Sequence, residues 1–266
     1  MAATLVTDDG VPIDAVHLPA PAEPDPEELT DAAPPPGRSD LALVVAHGFT
    51  LSWQRPMVWS ILRRFNHSAG VVTFDFRGHG RSGGLSTLGD KEVEDLDVAV
   101  RWARELGYAK VAAVGFSMGA SVVLRHAALR RGVDAVVSVS SPGRWYYRDT
   151  EAMRRVHFAA EKRLGRAFTR HVLKTRISPA GWPVPDPLPP AEAAPLITPT
   201  PVLIVHGDRD IYFPPEHGQQ LYDAAREPKE LWLLPGFGHA ERWTDDALTD
   251  RIAGWAATAA ATTAAP

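Results

Sequence analysis

The sequence Gly115-Phe116-Ser117-Met118-Gly119 constrains the fold of this chain more than any other segment. It follows the apolar run 110–114 and precedes a helix-compatible run, 120–129. This strand–turn–helix context predicts a very sharp turn that holds the Ser117 hydroxyl out at the top of a sheet. Glycine is expected on both sides because a Cβ there would collide with the neighbouring strand and helix. The motif therefore predicts a nucleophilic serine, with the backbone N–H of Met118 directed at the oxygen of a carbonyl under attack.

A serine hydroxyl is a weak nucleophile, so it needs a base, and the base needs an acid that orients it. Residues 201–207 predict a buried strand that runs into Asp208-Arg209-Asp210, and residues 231–234 predict another that is followed by His239. The order serine, aspartate, histidine is that of the α/β-hydrolase triad and differs from the orders in chymotrypsin-like and subtilisin-like proteases. Either aspartate is a candidate acid, because both lie on one loop.

Four blocks of the sequence resemble the α/β-hydrolase superfamily and occur in its order. They are residues 47–49, 75–82, 115–119 and 206–214, closed by His239, and they cover nearly the whole chain. The resemblance implies an α/β fold with a mostly parallel central sheet flanked by helices and a small helical cap insertion. Separately from the resemblance, no cluster of His, Asp or Glu has the spacing of metal ligands, and no Gly-rich loop resembles a nucleotide-binding fingerprint, so we expect no metal and no other cofactor.

The resemblance implies five site residues: the nucleophile, acid and base of a triad, and two donors of backbone N–H groups that bind the oxyanion. In that order they are Ser117, Asp210, His239, Phe49 and Met118. The family pattern G-x-x-D-x-x-x-P, between Gly207 and Pro214, selects Asp210 as the acid. Asp208 is then interpreted as a cap of the loop.

Other polar residues of the matching blocks are interpreted as structural. His47, His79 and His206 are expected to form hydrogen bonds that brace the site. Asp75 is expected to organise the turn at Arg77-Gly78.

The chain is predicted to consist of a core, residues 1–141 and 201–266, and an insertion, residues 142–200, where the alternation of strands and helices stops. Residues 4–18 predict an N-terminal β-hairpin, residues 19–40 a loose proline-rich connection, and residues 256–266 a frayed terminus. Apolar residues recur at steps of three and four from Met153 to Val172, which predicts one or two amphipathic helices with a bend at Gly165. The resemblance implies that this insertion caps the active site.

The insertion is strongly basic. Residues 144–176 contain ten Lys or Arg and three Asp or Glu, although the net charge of the whole chain is −4. Two interpretations stay open: the solvated face of an amphipathic helix, or a face that attracts anionic substrates or an anionic surface. The negative charge of the whole chain argues against general nucleic-acid binding.

Composition excludes several other classes of protein. The sequence has no cysteine, which excludes disulfides, thiol catalysis and thiolate metal sites. The first residues lack the basic start and apolar core of a secretory signal, and no apolar run approaches the roughly 20 residues of a membrane span. We therefore expect a cytoplasmic protein without a transmembrane segment.

The sequence predicts a serine hydrolase that cleaves carboxylic esters, with a small-molecule ester or acyl compound as substrate. A thioesterase or acyltransferase, or a perhydrolase similar to cofactor-free haloperoxidases, would use the same residues with another leaving group or acceptor. A non-catalytic binding protein is a further alternative, against which the intact serine, aspartate and histidine argue. An aspartate nucleophile, as in epoxide hydrolases, would require Asp at position 117.

Overall fold

The computed structural model describes residues 1–21 and 40–263, and in these residues eight strands form one sheet. The strands are β1 (Ala2–Val6), β2 (Pro12–Leu18), β3 (Leu41–Ala46), β4 (Gly70–Phe74), β5 (Lys110–Phe116), β6 (Ala135–Val139), β7 (Val202–Gly207) and β8 (Lys229–Leu234). Their order across the sheet is β1-β2-β4-β3-β5-β6-β7-β8. Most of the connection predicted over residues 19–40 lies outside the described residues.

Strands β3 to β8 run parallel, and the predicted hairpin of β1 and β2 adds two antiparallel strands at one edge. Strands β3, β4, β6 and β7 are mainly apolar and are buried along their whole length, as expected where helices cover both faces of a sheet. Because parallel strands end at the same edge, the loops after β3, β5, β7 and β8 emerge together. This carboxyl edge carries the candidate site.

Helices cover both faces of the sheet. In the described residues they are α1 (Pro56–Asn66), α2 (Glu92–Glu105), α3 (Met118–Leu129), α4 (Glu151–Glu161), α5 (Arg163–His171), α6 (Pro190–Ala193), α7 (Glu216–Ala224) and α8 (Asp246–Thr262). Leu96 of α2 and Leu124 of α3 lie in the core on one face, and Leu62 of α1 and Ile252 of α8 lie in the core on the other. Within residues 1–21 and 40–263, none of these helices has the length and apolar character that crossing a membrane requires.

The C-terminal helix extends further than the sequence predicted. Residues 256–266 were expected to fray, but α8 continues to Thr262. Three alanines of this last part of α8 are buried in the core: Ala256, Ala259 and Ala260. The prediction was wrong for residues 256–262. The alanine-rich segment was interpreted as low-complexity, although its alanines recur at helical spacing and form an apolar face.

Residues 142–200 connect β6 to β7 and contain α4, α5 and the short α6. Of the one or two amphipathic helices predicted, two are present, but the chain bends at Lys162, whose backbone is extended (φ −92°, ψ 141°), and not at Gly165. Gly165 lies inside α5, and a Cβ on it would come within 2.2 Å of the Phe158 carbonyl oxygen. This glycine therefore permits close packing of α5 on α4 and does not mark a break.

Candidate active site

Ser117 lies in a strained turn between β5 and α3. Its φ is 52° and its ψ is −113°, an uncommon conformation for a residue with a side chain. A Cβ on Gly115 would come within 2.3 Å of the Gly119 carbonyl oxygen, and one on Gly119 within 2.3 Å of the Ala46 carbonyl oxygen. The close approach of these backbones requires glycine at both positions, as the motif predicts.

The Ser117 hydroxyl begins a hydrogen-bonded chain of three side chains. Its Oγ lies 2.8 Å from Nε2 of His239, and Nδ1 of His239 lies 2.7 Å from Oδ2 of Asp210. His239 belongs to the loop after β8, and Asp210 belongs to the loop after β7. The fold thus brings together three residues that are far apart in sequence, in the order that a nucleophile, a base and an acid would need.

The two aspartates of the loop after β7 have different partners. Oδ1 of Asp210 accepts hydrogen bonds from the backbone N–H groups of Tyr212 and Phe213 at 2.8 and 3.0 Å, which orients its carboxylate. Asp208 instead accepts a hydrogen bond from the N–H of Gly236 at 2.7 Å. Asp208 therefore ties two loops together, and Asp210 is the one that bonds His239.

Two backbone N–H groups beside Ser117 are available to a ligand, those of Phe49 and Met118. Neither donates to an acceptor among the described residues. Met118 is the first residue of α3, where an N–H has no partner within the helix. Gly48 lies against Ser117, since a Cβ on it would come within 3.3 Å of the Ser117 Cβ. Two such donors suit a carbonyl oxygen that gains negative charge.

The loop after β3 is held on both sides of Phe49. The N–H of Gly48 donates to Oε1 of Glu241 at 2.6 Å, and the N–H of Thr50 donates to Nε2 of His79 at 3.2 Å. These two hydrogen bonds fix the backbone of the loop. The N–H of Phe49 between them stays unengaged within the described residues.

Glu241 is a candidate functional residue that the sequence did not indicate. It is 4% exposed, and its carboxylate contacts the backbone of Gly48. Burial raises the pKa of this carboxyl, while hydrogen bonds from its own backbone N–H and from that of Gly48 act in the opposite direction. Its position two residues after His239 could have pointed to it, but this spacing does not distinguish a buried glutamate from an exposed one.

The other histidines of this edge form structural hydrogen bonds, as the sequence interpretation expected. Nε2 of His47 accepts from the N–H of Phe76 at 3.2 Å, and a ring nitrogen of His206 lies 2.8 Å from the Phe213 carbonyl oxygen. Burial lowers the pKa of His79 to about 3, so its ring stays neutral and accepts a hydrogen bond from the loop after β3.

Asp75 closes the loop that contains the predicted turn at Arg77-Gly78, but it does not bond the turn itself. Its carboxylate accepts hydrogen bonds from the N–H groups of Trp53 at 3.0 Å and Arg81 at 3.2 Å. The N–H of Arg77 donates instead to Asp95, at 2.8 Å. The interpretation was therefore confirmed in part: Asp75 closes the loop from its outside, and α2 supplies the carboxylate that bonds the N–H of Arg77.

Comparisons with known proteins agree with this architecture. A model of the alpha/beta hydrolase family matches residues 43–255. The uncharacterized protein YfhR of Escherichia coli (strain K12) is 26% identical over 79% of this chain and 67% of its own length. The polyketide transferase ATR5 of Stachybotrys chlorohalonatus is 26% identical over 77% of this chain and 83% of its own length.

A solved structure with the same architecture is that of the esterase Pf2001 of Pyrococcus furiosus. It matches with a TM-score of 0.70 and 21% sequence identity, over 96% of this chain and 90% of that one. At this identity the likeness shows the fold alone. It confirms the predicted fold class, a mostly parallel sheet flanked by helices.

Proposed function

The chain belongs to the alpha/beta hydrolase family, and on that premise we propose that it is a serine hydrolase that cleaves carboxylic esters through an acyl-enzyme intermediate. Family and fold alone do not carry the proposal, because one fold serves many functions. The observation that carries it is the continuous hydrogen-bonded chain from Ser117 through His239 to Asp210, with contacts of 2.8 and 2.7 Å. Beside it lie two N–H groups that donate to no acceptor in residues 1–21 and 40–263.

In the proposed reaction, Oγ of Ser117 attacks the acyl carbonyl carbon while Nε2 of His239 takes the hydroxyl proton. Asp210 accepts the Nδ1–H of His239, fixes the imidazole tautomer and stabilises the imidazolium. The N–H groups of Phe49 and Met118 bind the oxyanion. The imidazolium then protonates the leaving alcohol as the ester C–O bond breaks. A water that gives a proton to His239 attacks the acyl-enzyme, releases the acid and restores the Ser117 hydroxyl.

We also propose that residues 142–200 form a cap that limits the size of the acyl group. Thr150, the N-cap of α4, donates its hydroxyl to the Tyr212 carbonyl oxygen at 3.0 Å. The Tyr212 ring in turn lies 4.4 Å from the His239 ring, between centroids. Helix α4 therefore begins next to the proposed acid and base, where a substrate would enter.

A transfer reaction on the same triad is the second candidate. Its specific support is the relative from Stachybotrys chlorohalonatus, which is named a polyketide transferase. In a transferase, the acyl-enzyme would form as in the esterase, and an acceptor hydroxyl would then attack it in place of water. With a thioester donor, the leaving group would be a thiol in place of an alcohol. Turnover of acyl thioesters against simple esters, with and without an added alcohol acceptor, separates these activities.

The experiment that tests the proposal combines a fluorophosphonate probe, located by mass spectrometry, with a p-nitrophenyl ester series from acetate to palmitate. We expect covalent mass on Ser117 and turnover that peaks at one chain length. Ser117→Ala should lose both label and turnover. Ser121→Ala is the matched control and should keep both, because the Ser121 hydroxyl donates to the Met118 carbonyl oxygen within α3.

The outcomes of this experiment separate the candidates. Labelling without ester turnover would contradict the esterase and favour a thioester or another acyl donor. Absence of labelling would contradict the serine hydrolase and favour a non-catalytic protein.

A further inference from the structure

Helix α5 turns its apolar side chains away from the protein. Leu164, Phe168 and Val172 recur at steps of four and are 80%, 54% and 58% exposed. The buried positions of the helix are Gly165 and Thr169. An ordinary surface helix buries its large apolar side chains, whereas α5 buries small residues and leaves its large apolar side chains exposed.

The packing of α5 on α4 fixes this orientation. Gly165 faces α4 so closely that a Cβ would come within 2.2 Å of the Phe158 carbonyl oxygen. Thr169 is fully buried, and its carbonyl oxygen accepts the N–H of Thr175 at 2.9 Å. Rotation of α5 to bury Leu164 would break both contacts. The packing of the insertion therefore determines that the apolar stripe is exposed.

Cations lie on the polar side of α5, across the helix from the apolar stripe. Arg163 and Arg170 are seven residues apart, which puts them together on that side, and Lys174 follows the end of the helix. All three are exposed, and none forms an ion pair with a carboxylate within the described residues. We name the α5 face by these members: Leu164, Phe168, Val172, Arg163, Arg170 and Lys174.

We propose that the α5 face docks on the surface of an anionic phospholipid bilayer. Apolar side chains on one side and Lys or Arg on the polar side are the pattern by which a helix lies in the boundary between headgroups and acyl chains. Charge complementarity selects this occupant, because residues 144–176 carry ten Lys or Arg against three Asp or Glu. A second copy of the chain would bring two such basic faces together, and their like charges would repel.

The docking does not depend on hydrolysis, so its test uses the full chain with Ser117→Ala, which leaves the lipid intact. Co-sedimentation is measured with vesicles of phosphatidylcholine, with and without about 30 mol% phosphatidylserine. We expect the anionic vesicles to bind at least about tenfold more protein, and the difference to disappear at about 0.5 M salt. Binding would thus be measured whether or not the proposed esterase activity is correct.

Two pairs of substitutions separate the contributions of the α5 face. Arg163→Gln with Arg170→Gln should lower binding to anionic vesicles by about 25-fold, since each cation near such a surface adds about fivefold. Leu164→Gln with Phe168→Gln should lower it by at least about tenfold, because the apolar insertion is lost. The matched controls are Arg63→Gln on α1 and Leu129→Gln on α3, which remove an exposed cation and an exposed apolar side chain elsewhere and should bind as the parent does.

Three results would overturn the proposal. The first is equal binding to the neutral and anionic vesicles. The second is unchanged binding by the variants of the α5 face, together with a higher KM for long esters when the same substitutions are made in the chain that keeps Ser117, which would make this face a substrate surface. The third is a dimer in light scattering that the same variants convert to monomer, which would make the occupant a second copy.

Discussion

Glu241 is expected to position the loop that carries the N–H of Phe49, although it touches none of the reacting atoms. Its Oε1 accepts the N–H of Gly48 at 2.6 Å, and the residue is 4% exposed. Glu241→Leu removes this acceptor, and a buried N–H left without a partner costs about 1–3 kcal/mol. The loop can recover part of this cost if Gly48 moves toward water, but Phe49 would then move with it.

The effect on catalysis follows from this displacement. Loss of one oxyanion donor typically lowers kcat by about 10²–10³-fold. We therefore expect Glu241→Leu to lower kcat for a short ester by about 10²-fold and to change KM by less than about threefold, because the lost contact forms mainly in the transition state. Glu241→Gln keeps a carbonyl oxygen that can accept the same hydrogen bond, so its kcat should stay within about tenfold of wild type.

The assay is steady-state kinetics with a p-nitrophenyl ester, beside urea unfolding of each variant. Asp134→Leu is the matched control: Asp134 is 2% exposed and accepts the N–H of Val111 at 2.8 Å, but it precedes β6 at the opposite edge of the sheet. It should lose stability and keep kcat. If Glu241→Leu lowers stability as Asp134→Leu does and leaves kcat unchanged, the positioning role is refuted.

Asp210→Asn is expected to lower kcat by about 10³–10⁴-fold because the amide favours the wrong imidazole tautomer, whereas Asp208→Asn should stay within about threefold; equal effects in the ester assay would contradict this assignment. Gly119→Ala should cost at least about 3 kcal/mol in urea unfolding, because its Cβ would meet a backbone oxygen at 2.3 Å. Gly254→Ala, where a Cβ meets nothing within 4 Å, should instead stabilise α8 by about 0.5–1 kcal/mol. Burial lowers the pKa of the His217 imidazole from 6.5 to about 4, because burial disfavours its charged form. Below pH 6.5 the unfolded chain therefore binds a proton that the folded chain does not. The free energy of unfolding is highest above pH 6.5 and falls as the pH falls toward 4. Urea midpoints should therefore fall between pH 7 and 5, and an equally steep fall in His217→Gln would contradict this cause.

The features predicted correctly from the sequence are those that local backbone rules determine. The turn at Ser117 needs glycine on both sides because backbones approach within 2.3 Å of where a Cβ would stand, and the motif records this requirement. Asp210 and His239 each follow a strand that is recognisable from its apolar run. Since parallel strands share a carboxyl edge, the fold class brings these residues together without further information.

The features that were missed depend on contacts between distant segments. Glutamate is usually exposed, and the buried carboxylate of Glu241 is satisfied by an N–H of the loop after β3 and by its own backbone N–H. A glycine within a helical pattern indicates a bend because glycine is a poor helix former. At Gly165 the close approach of α4 determined the residue instead, and the bend fell at Lys162.

Several strained backbone conformations lie at the carboxyl edge of the sheet, which carries the candidate active site. Four residues with side chains have φ values from 48° to 64° after β3, β5, β6 and β8, namely Thr50, Ser117, Ser140 and Ala240. Each such conformation costs about 1–3 kcal/mol and persists only where its surroundings determine it. Here hydrogen bonds between the loops do so: the N–H of Ser117 donates to the carbonyl oxygen at the end of β6, the N–H of Ala240 donates to the Ser140 hydroxyl, and Glu241 accepts from the loop after β3. Because the loops hold one another, a change at Glu241 is expected to reach kcat without contact with the substrate.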